Sequence, residues 1–67
     1  MLHEIMGRSP QKAINVDDIS TIEELDDEHM LIMTKMNMIV HIEYDTKKKA
    51  YDEYKIILNK HNRKEQG

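Results

Sequence analysis

The sequence predicts an all-α fold, a small helical hairpin or three-helix arrangement, and two observations support this prediction. Capping residues stand at the start of three segments that have helical character. Apolar residues then recur at helical spacing through the centre and the C-terminal part of the chain. We therefore expect a short acidic helix followed by two longer helices, over about 27–44 and 46–62.

Residues 1–16 are expected to form a flexible or docking N-terminal arm. Gly7 interrupts its short apolar start, and Ser9 is a suitable cap for a short helix with Pro10 in its first turn, where a missing N–H costs no hydrogen bond. Such a helix would have few apolar contacts, so we expect it to be ordered only where the arm docks. The helical domain is expected to span 17–62, followed by a frayed tail at 63–67 that has no apolar residue.

The first predicted helix lies in an acidic segment, residues 17–28, which contains seven carboxylates and no basic residue. Ser20 is followed three positions later by Glu23, and this spacing is that of a capping box at a helix start. Thr21 and Glu24 repeat the same spacing. The segment therefore predicts a short helix over about 21–25.

The central helix is predicted to begin near residue 27. Asp26 is a good N-cap, and Leu25 and Met30 have the spacing of a hydrophobic staple around it. On a helical projection the apolar run 30–44 separates into two stripes. One stripe contains Ile32, Met33, Met36, Ile39 and Val40, and the other contains Leu31, Met38 and Ile42. We expect the first stripe to hold the fold and the second to contact another chain.

A β-strand is the competing prediction for residues 38–44, because apolar side chains occupy every even position there and β-branched residues are frequent. The alternation is imperfect, since Ile39 falls on the polar side. No tight hairpin dipeptide such as Asn-Gly follows the segment. The helix is therefore the preferred interpretation.

The C-terminal helix is predicted over about 46–62, with Asp45 or Thr46 as its cap. No Gly or Pro separates it from the central helix, so one continuous helix over 27–62, about 54 Å long at 1.5 Å per residue, is the alternative. A bend near residues 44–47 lets each helix cover the other, and we prefer it. A chain of 67 residues buries little surface by itself, so we expect self-association into a homodimer or larger oligomer.

Sequence motifs for catalysis are missing. Glycine occurs only at positions 7 and 67, so no phosphate-binding glycine loop is present, and the hydroxyl residues lie outside any nucleophile motif. Cysteine is absent, which excludes disulfides and thiolate metal sites. His41 and Asp45 have the i, i+4 spacing of two metal ligands on a helix, but two ligands do not make a site. We therefore expect that the protein is not an enzyme and that it has no cofactor and no metal site.

The apolar run is shorter than the roughly 20 residues that a membrane-spanning helix needs. The first residues lack the basic start and long apolar region of a secretory signal. Absence of cysteine fits a reducing compartment. We expect a cytoplasmic protein that does not associate with membranes.

Binding to another protein is the predicted function. In composition the chain, rich in Met, Ile and Lys, resembles small bacterial and bacteriophage regulatory proteins. We expect a regulatory or inhibitory protein, because methionine-rich surfaces adapt readily to a partner. The predicted partner-binding residues come from the second apolar stripe and from the acidic segment: Leu31, Met38, Ile42, Asp17, Asp18, Glu23, Glu24 and Asp27.

A dimeric nucleic-acid-binding transcriptional regulator is the first alternative. Its phosphate contacts would come from the basic C-terminal segment, which contains Lys47, Lys48, Lys49, Lys55, Arg63 and Lys64. A formal net charge of −3 makes this function less favourable than protein binding. An oligomerisation module without further function is the second alternative.

Overall fold

The computed structural model contains five strands and one α-helix in the part of the chain that it describes, so the prediction of an all-α fold with a helical hairpin is wrong. It describes the backbone of residues 1–66 and the side chains of residues 1–63. The side chains of residues 64–66 and the whole of Gly67 therefore lie outside the described residues, whereas the backbone of residues 63–66, predicted as a tail, is described as helix. The elements are β1 (Leu2–Glu4), β2 (Ala13–Asn15), a 3-10 helix (Val16–Asp18), β3 (Ile19–Asp26), β4 (His29–Thr34), β5 (Ile39–Glu43) and α1 (Lys47–Gln66).

The strands form two antiparallel sheets. β1 pairs with β2, and β3, β4 and β5 form a three-stranded sheet in that order. Ile32 lies at the centre of the larger sheet, between Ile22 of β3 and Val40 of β5. Arg8 and Glu43 exchange two backbone hydrogen bonds of 2.8 Å, which join the N-terminal hairpin to β5. The segment that was expected to be an arm is thus part of the folded unit.

Strand alternation decides which residues of the central apolar run are buried. The even-numbered apolar residues of β4, of β5 and of the position after β5 form the core with α1: Met30, Ile32, Val40, Ile42 and Tyr44. Met36 and Ile39, expected in the core stripe with Ile32, are 84% and 59% exposed. The two helical stripes are therefore wrong, because consecutive residues of a strand point to opposite faces.

Asp26 caps a turn and not a helix. Its Oδ1 accepts the backbone N–H of Glu28 at 2.8 Å, which closes the connection between β3 and β4. An aspartate that accepts an N–H two residues further on stabilises a turn through the same chemistry that caps a helix. The capping residue predicted at Asp26 therefore caps a turn. The helices predicted over 21–25 and 27–44 are wrong, because the strands β3 and β4 flank this turn.

The connection between β4 and β5 depends on Thr34 and Asn37. The Thr34 Oγ1 accepts the backbone N–H of Met38 at 3.0 Å, and Asn37 has a φ of 65°. Asparagine tolerates this left-handed conformation better than most residues. The turn lets the chain reverse without an Asn-Gly dipeptide, and β5 confirms the strand alternative for residues 38–44.

The helix α1 confirms the predicted C-terminal helix. The Thr46 Oγ1 accepts the backbone N–H of Lys49 at 3.2 Å, as an N-cap does. Ala50 and Ile57 are buried against the sheet. The continuous helix over 27–62 is wrong. Among the described residues, no helix combines the length and the apolar character that a membrane crossing requires.

Candidate functional site

The three-stranded sheet packs one face against α1, and the side chains of its opposite face are half-buried or exposed. Ile39 lies on this opposite face and is 59% exposed, although the next residue in the chain, Val40, is buried. Alternation along the strands identifies the other members of this face. We name it the outer face, and its residues are Thr21, Glu23, His29, Leu31, Met33, Ile39, His41 and Glu43.

An apolar patch occupies one half of the outer face. Met33 of β4 pairs directly with Ile39 of β5, and Leu31 follows two positions before Met33 on the same side of the strand. Directly opposite residues of an antiparallel pair have Cβ atoms about 4.5–5.5 Å apart, so these side chains are in contact range. We name Leu31, Met33 and Ile39 the apolar patch.

A histidine pair occupies the other half of the outer face. The His29 and His41 rings stack with centroids 5.3 Å apart. Asp26 Oδ1 lies 2.7 Å from His29 Nδ1, and Glu43 Oε1 lies 3.9 Å from His29 Nε2. The hydrogen bond to Asp26 raises the pKa of His29 above its usual value. The N–H of Glu28 and the His29 ring together hold the pKa of Asp26 below its usual value.

A carboxylate borders the apolar patch on the β3 side. Glu23 pairs across the strands with Leu31 on the outer face, whereas Glu24 pairs with the core residue Met30 and lies on the other side of β3. Both side chains are exposed, and neither has an ion pair or hydrogen bond with another described residue. Residues 17–45 contain nine carboxylates and one lysine. Of these carboxylates, Glu23 and Glu43 belong to the outer face, where Glu23 lies beside the apolar patch and Glu43 beside the histidine pair.

The predicted apolar contact residues do not come together. Leu31 lies on the outer face, whereas Ile42 is completely buried in the core. Met38 lies on another side of the molecule, where it lines a groove of about 160 Å³ with Met36 and Ile14. The helical projection had grouped the three residues because it assumed a turn of 100° per residue. Only Leu31 among them belongs to the outer face.

The predicted acidic contact residues are spread along the molecule. Asp17 and Asp18 lie in the 3-10 helix, Glu23 and Glu24 on β3, and Asp27 in the turn between β3 and β4. The N-terminal amine lies 3.0 Å from Asp17 Oδ2, so this carboxylate already has a cationic partner. Glu23, opposite Leu31, is therefore the member that lies next to the apolar patch.

The lysines predicted for nucleic-acid binding lie on α1, and several of them contact groups of the same chain. Three form ion pairs: Lys47 with Asp27 at 3.8 Å, Lys48 with Asp52 at 2.9 Å and Lys49 with Asp45 at 3.7 Å. Lys55 Nζ lies 5.2 Å from the centre of the Tyr51 ring. Arg63 is exposed near the end of the described side chains. The positive charge of this helix is thus partly compensated within the chain.

A buried polar cluster around Glu53 was missed by the sequence analysis. Glu53 is completely buried, and its Oε2 lies 3.1 Å from His3 Nε2 and accepts the backbone N–H of Met6 at 2.6 Å. The Tyr44 hydroxyl donates to its Oε1 at 2.5 Å. Lys60 Nζ lies 2.9 Å from His3 Nδ1. An ammonium has no acceptor, so Nδ1 accepts and the His3 proton is on Nε2, where it faces the carboxylate.

The Glu53 cluster holds the fold together. Burial, and then the hydrogen bond to Glu53, raise the pKa of the Tyr44 hydroxyl, which keeps this group protonated as a donor. The donors come from β1, from the segment after it and from the end of β5. One sequence signal could have found the site: Glu53 lies three positions after Ala50 and four before Ile57, in phase with the apolar face of the helix.

Among residues 1–63, no group of three or more histidine, aspartate or glutamate side chains is placed to hold a metal ion. No family model, curated protein or solved structure matches the chain. The interpretation of the outer face therefore depends on its geometry and charge.

Proposed function

We propose that this chain is a small non-enzymatic regulatory or inhibitory protein that binds another protein through the outer face of its three-stranded sheet. The observation that carries the proposal is the apolar patch, in which Ile39 is 59% exposed and Leu31 and Met33 are half-buried, on a sheet whose other face forms the core. Isolated exposed apolar residues are ordinary, but a contiguous patch rimmed by polar groups is typical of an interaction site.

The composition of the outer face supports this function. Leu31, Met33 and Ile39 provide the apolar centre, and His41 and Glu23 flank it in the register of the sheet. Binding interfaces commonly combine an apolar centre with a polar rim. The backbone under the patch is held by hydrogen bonds on both sides of β4, so a partner would meet a preformed surface.

The two other functions have weaker support. A nucleic acid would be repelled by Glu23 and Glu43 on the outer face, and the ion pairs of α1 compensate part of the charge that would attract phosphates. A purely structural oligomerisation module would leave the unpartnered Glu23 side chain of the outer face without a role. Self-association and a cytoplasmic location stay predictions.

Replacement of Ile39 by serine tests the proposal. Tagged wild-type protein, Ile39→Ser and the control Leu2→Ser are used to capture proteins from the native host, with quantitative mass spectrometry. Leu2 is 70% exposed on β1, away from the outer face, so it matches Ile39 in exposure and chemistry. We expect a partner that wild type and Leu2→Ser retain and that Ile39→Ser loses, with equal helicity in circular dichroism. Equal retention by all three proteins would contradict the proposal.

A further inference from the structure

We propose that the partner segment at the outer face is extended and cationic, with apolar side chains on the apolar patch and lysine or arginine side chains against the carboxylates of this face. This inference rests on the proposed function. It adds the chemistry of the partner, which the uncharged patch alone does not specify.

Charge distribution is the first argument. Residues 19–43, which form the larger sheet and its turns, contain six carboxylates against Lys35 alone. Asp26 and Asp27 have partners within the chain, but Glu23 and Glu24 have none among the described side chains. Glu23 is the one of these two that lies on the outer face, and a carboxylate there without a cation favours a partner that supplies one. Complementary charge of this kind selects a partner and orients it more than it adds affinity.

Geometry is the second argument. Glu23 and Leu31 lie in one row across the sheet, and Thr21, Met33 and Ile39 lie in the next row. Rows on one face of a sheet are separated by two residues, about 6.8 Å, which is also the distance between alternate side chains of an extended chain. An extended partner segment that runs along the strands therefore places its same-side residues, one after another, over successive rows. The row that contains Leu31 ends in the carboxylate of Glu23.

The same charges argue against two other occupants. A second copy that docked face to face would bring the unpartnered Glu23 side chains of the two copies onto one interface, where like charges repel. Single-stranded nucleic acid would bring phosphates to the same carboxylates. A cationic protein segment avoids both repulsions, because its positive charges are attracted by the carboxylates.

Two synthetic peptides serve as probes for the isolated, isotope-labelled protein. One repeats leucine-serine-lysine-serine and the other repeats leucine-serine-glutamate-serine, so that the apolar and the charged side chains lie on the same side of the extended chain. We expect the lysine peptide to shift the amide resonances of Leu31, Met33 and Ile39 in a saturable manner, and the glutamate peptide to leave them unchanged. The affinity should fall about tenfold between roughly 50 mM and 500 mM salt, because salt screens exposed charges. Shifts confined to other surfaces, or equal binding of both peptides, would overturn the inference.

The variant Glu23→Lys separates charge recognition from non-specific attraction. Its matched control is Glu4→Lys, which makes the same charge change at an exposed position on β1. We expect Glu23→Lys to weaken binding of the lysine peptide about threefold or more, a size typical of exposed ion pairs, and Glu4→Lys to have a smaller effect. Equal effects of the two variants would contradict a specific role of Glu23.

The captured native partner distinguishes failure of this inference from failure of the proposed function. If Ile39→Ser loses the partner while Glu23→Lys and Glu4→Lys both retain it, the outer face binds a protein but the cationic chemistry is wrong. If Ile39→Ser retains the partner, both proposals are wrong. Loss with Ile39→Ser and with Glu23→Lys, but not with Glu4→Lys, would support both.

Discussion

The carboxylate of Glu53 contacts the ring of His3 at 3.1 Å, and fifty positions of the chain separate the two residues. Both side chains are buried, and the contact ties β1 to the middle of α1. A buried carboxylate is costly unless it is fully hydrogen-bonded, and Glu53 meets this requirement with donors from three parts of the chain. The cluster therefore makes the N-terminal hairpin part of the cooperative fold.

Replacement of Glu53 by leucine should strongly destabilise the protein. The variant leaves His3, the Met6 N–H and the Tyr44 hydroxyl buried without their acceptor, and breaking a buried polar cluster of this kind costs about 3–5 kcal/mol. Urea unfolding measures the loss. The control Asp52→Leu changes the neighbouring, half-exposed carboxylate of α1 and should cost much less. Equal losses for the two variants would show that the Glu53 contacts contribute little.

Gly7→Ala should also destabilise the fold, because the backbone there lies against β5. A Cβ at this position would lie 2.5 Å from Ile42 Cγ2, 2.6 Å from Tyr44 Cε1 and 2.7 Å from the Glu43 carbonyl oxygen. Both side chains belong to the core, so the hairpin must shift, at a cost of about 1–3 kcal/mol. Thermal unfolding should show a lower Tm, by about 4–8 °C for each kcal/mol.

The exposed residue Lys12 provides the control for Gly7. Lys12→Ala introduces the same side chain in the same hairpin without a contact of this kind, and its Tm should stay close to that of the wild type. An unchanged Tm in Gly7→Ala would mean that the hairpin does not pack on β5 in solution.

Strand alternation predicts opposite results for Ile32 and Ile39. Ile32→Ala removes a completely buried side chain and should cost about 2–5 kcal/mol. Ile39→Ala changes a side chain that is 59% exposed and should cost less than about 1 kcal/mol. Denaturant unfolding of the two variants measures the difference. Similar losses at both positions would favour the helical stripe, in which the two residues share one buried face.

The contact between His29 and Asp26 should make the free energy of unfolding depend on pH in two ranges, one above pH 6.5 and one below pH 3.8. The pKa of His29 is raised above 6.5, so its contribution is fully present below pH 6.5 and is lost as the pH rises through the raised value. The pKa of Asp26 is lowered from 3.8, so its contribution is fully present above pH 3.8 and is lost as the pH falls through the lowered value.

Asp26→Asn should move the pKa of His29 back toward 6.5, because the side-chain hydrogen bond to Asp26 is the largest cause of the increase. An NMR titration of the His29 ring measures the change. Asp27→Asn removes the next carboxylate, which pairs with Lys47 instead, and should leave the titration almost unchanged. The same titration midpoint in Asp26→Asn and wild type would contradict the assigned contact.

The candidate site was predictable in part. Leu31, Glu23 and Glu24 were identified as contact residues from the apolar run and the acidic segment. The structure places Leu31 and Glu23 on the outer face, whereas Glu24 pairs with Met30 on the other side of the sheet. Met38 and Ile42 were grouped with Leu31 only because a helix was assumed. Met33 and Ile39, which belong to the patch, were assigned to the core for the same reason. The composition of the site was thus evident, but not its geometry.

The sequence by itself determined the C-terminal helix, because its signals are local: the Thr46 cap and an apolar face repeat within a few residues. The capping signal at Asp26 is local too, but a hydrogen bond from a nearby backbone N–H to an aspartate side chain is compatible with a helix start or with a hairpin turn. Only the tertiary structure decided that residues 19–43 are strands. An apolar run such as 30–44 fits both the helical and the strand periodicity. The choice between helix and strand depends on strand pairing and on contacts between residues that lie far apart in the chain, such as His3 and Glu53.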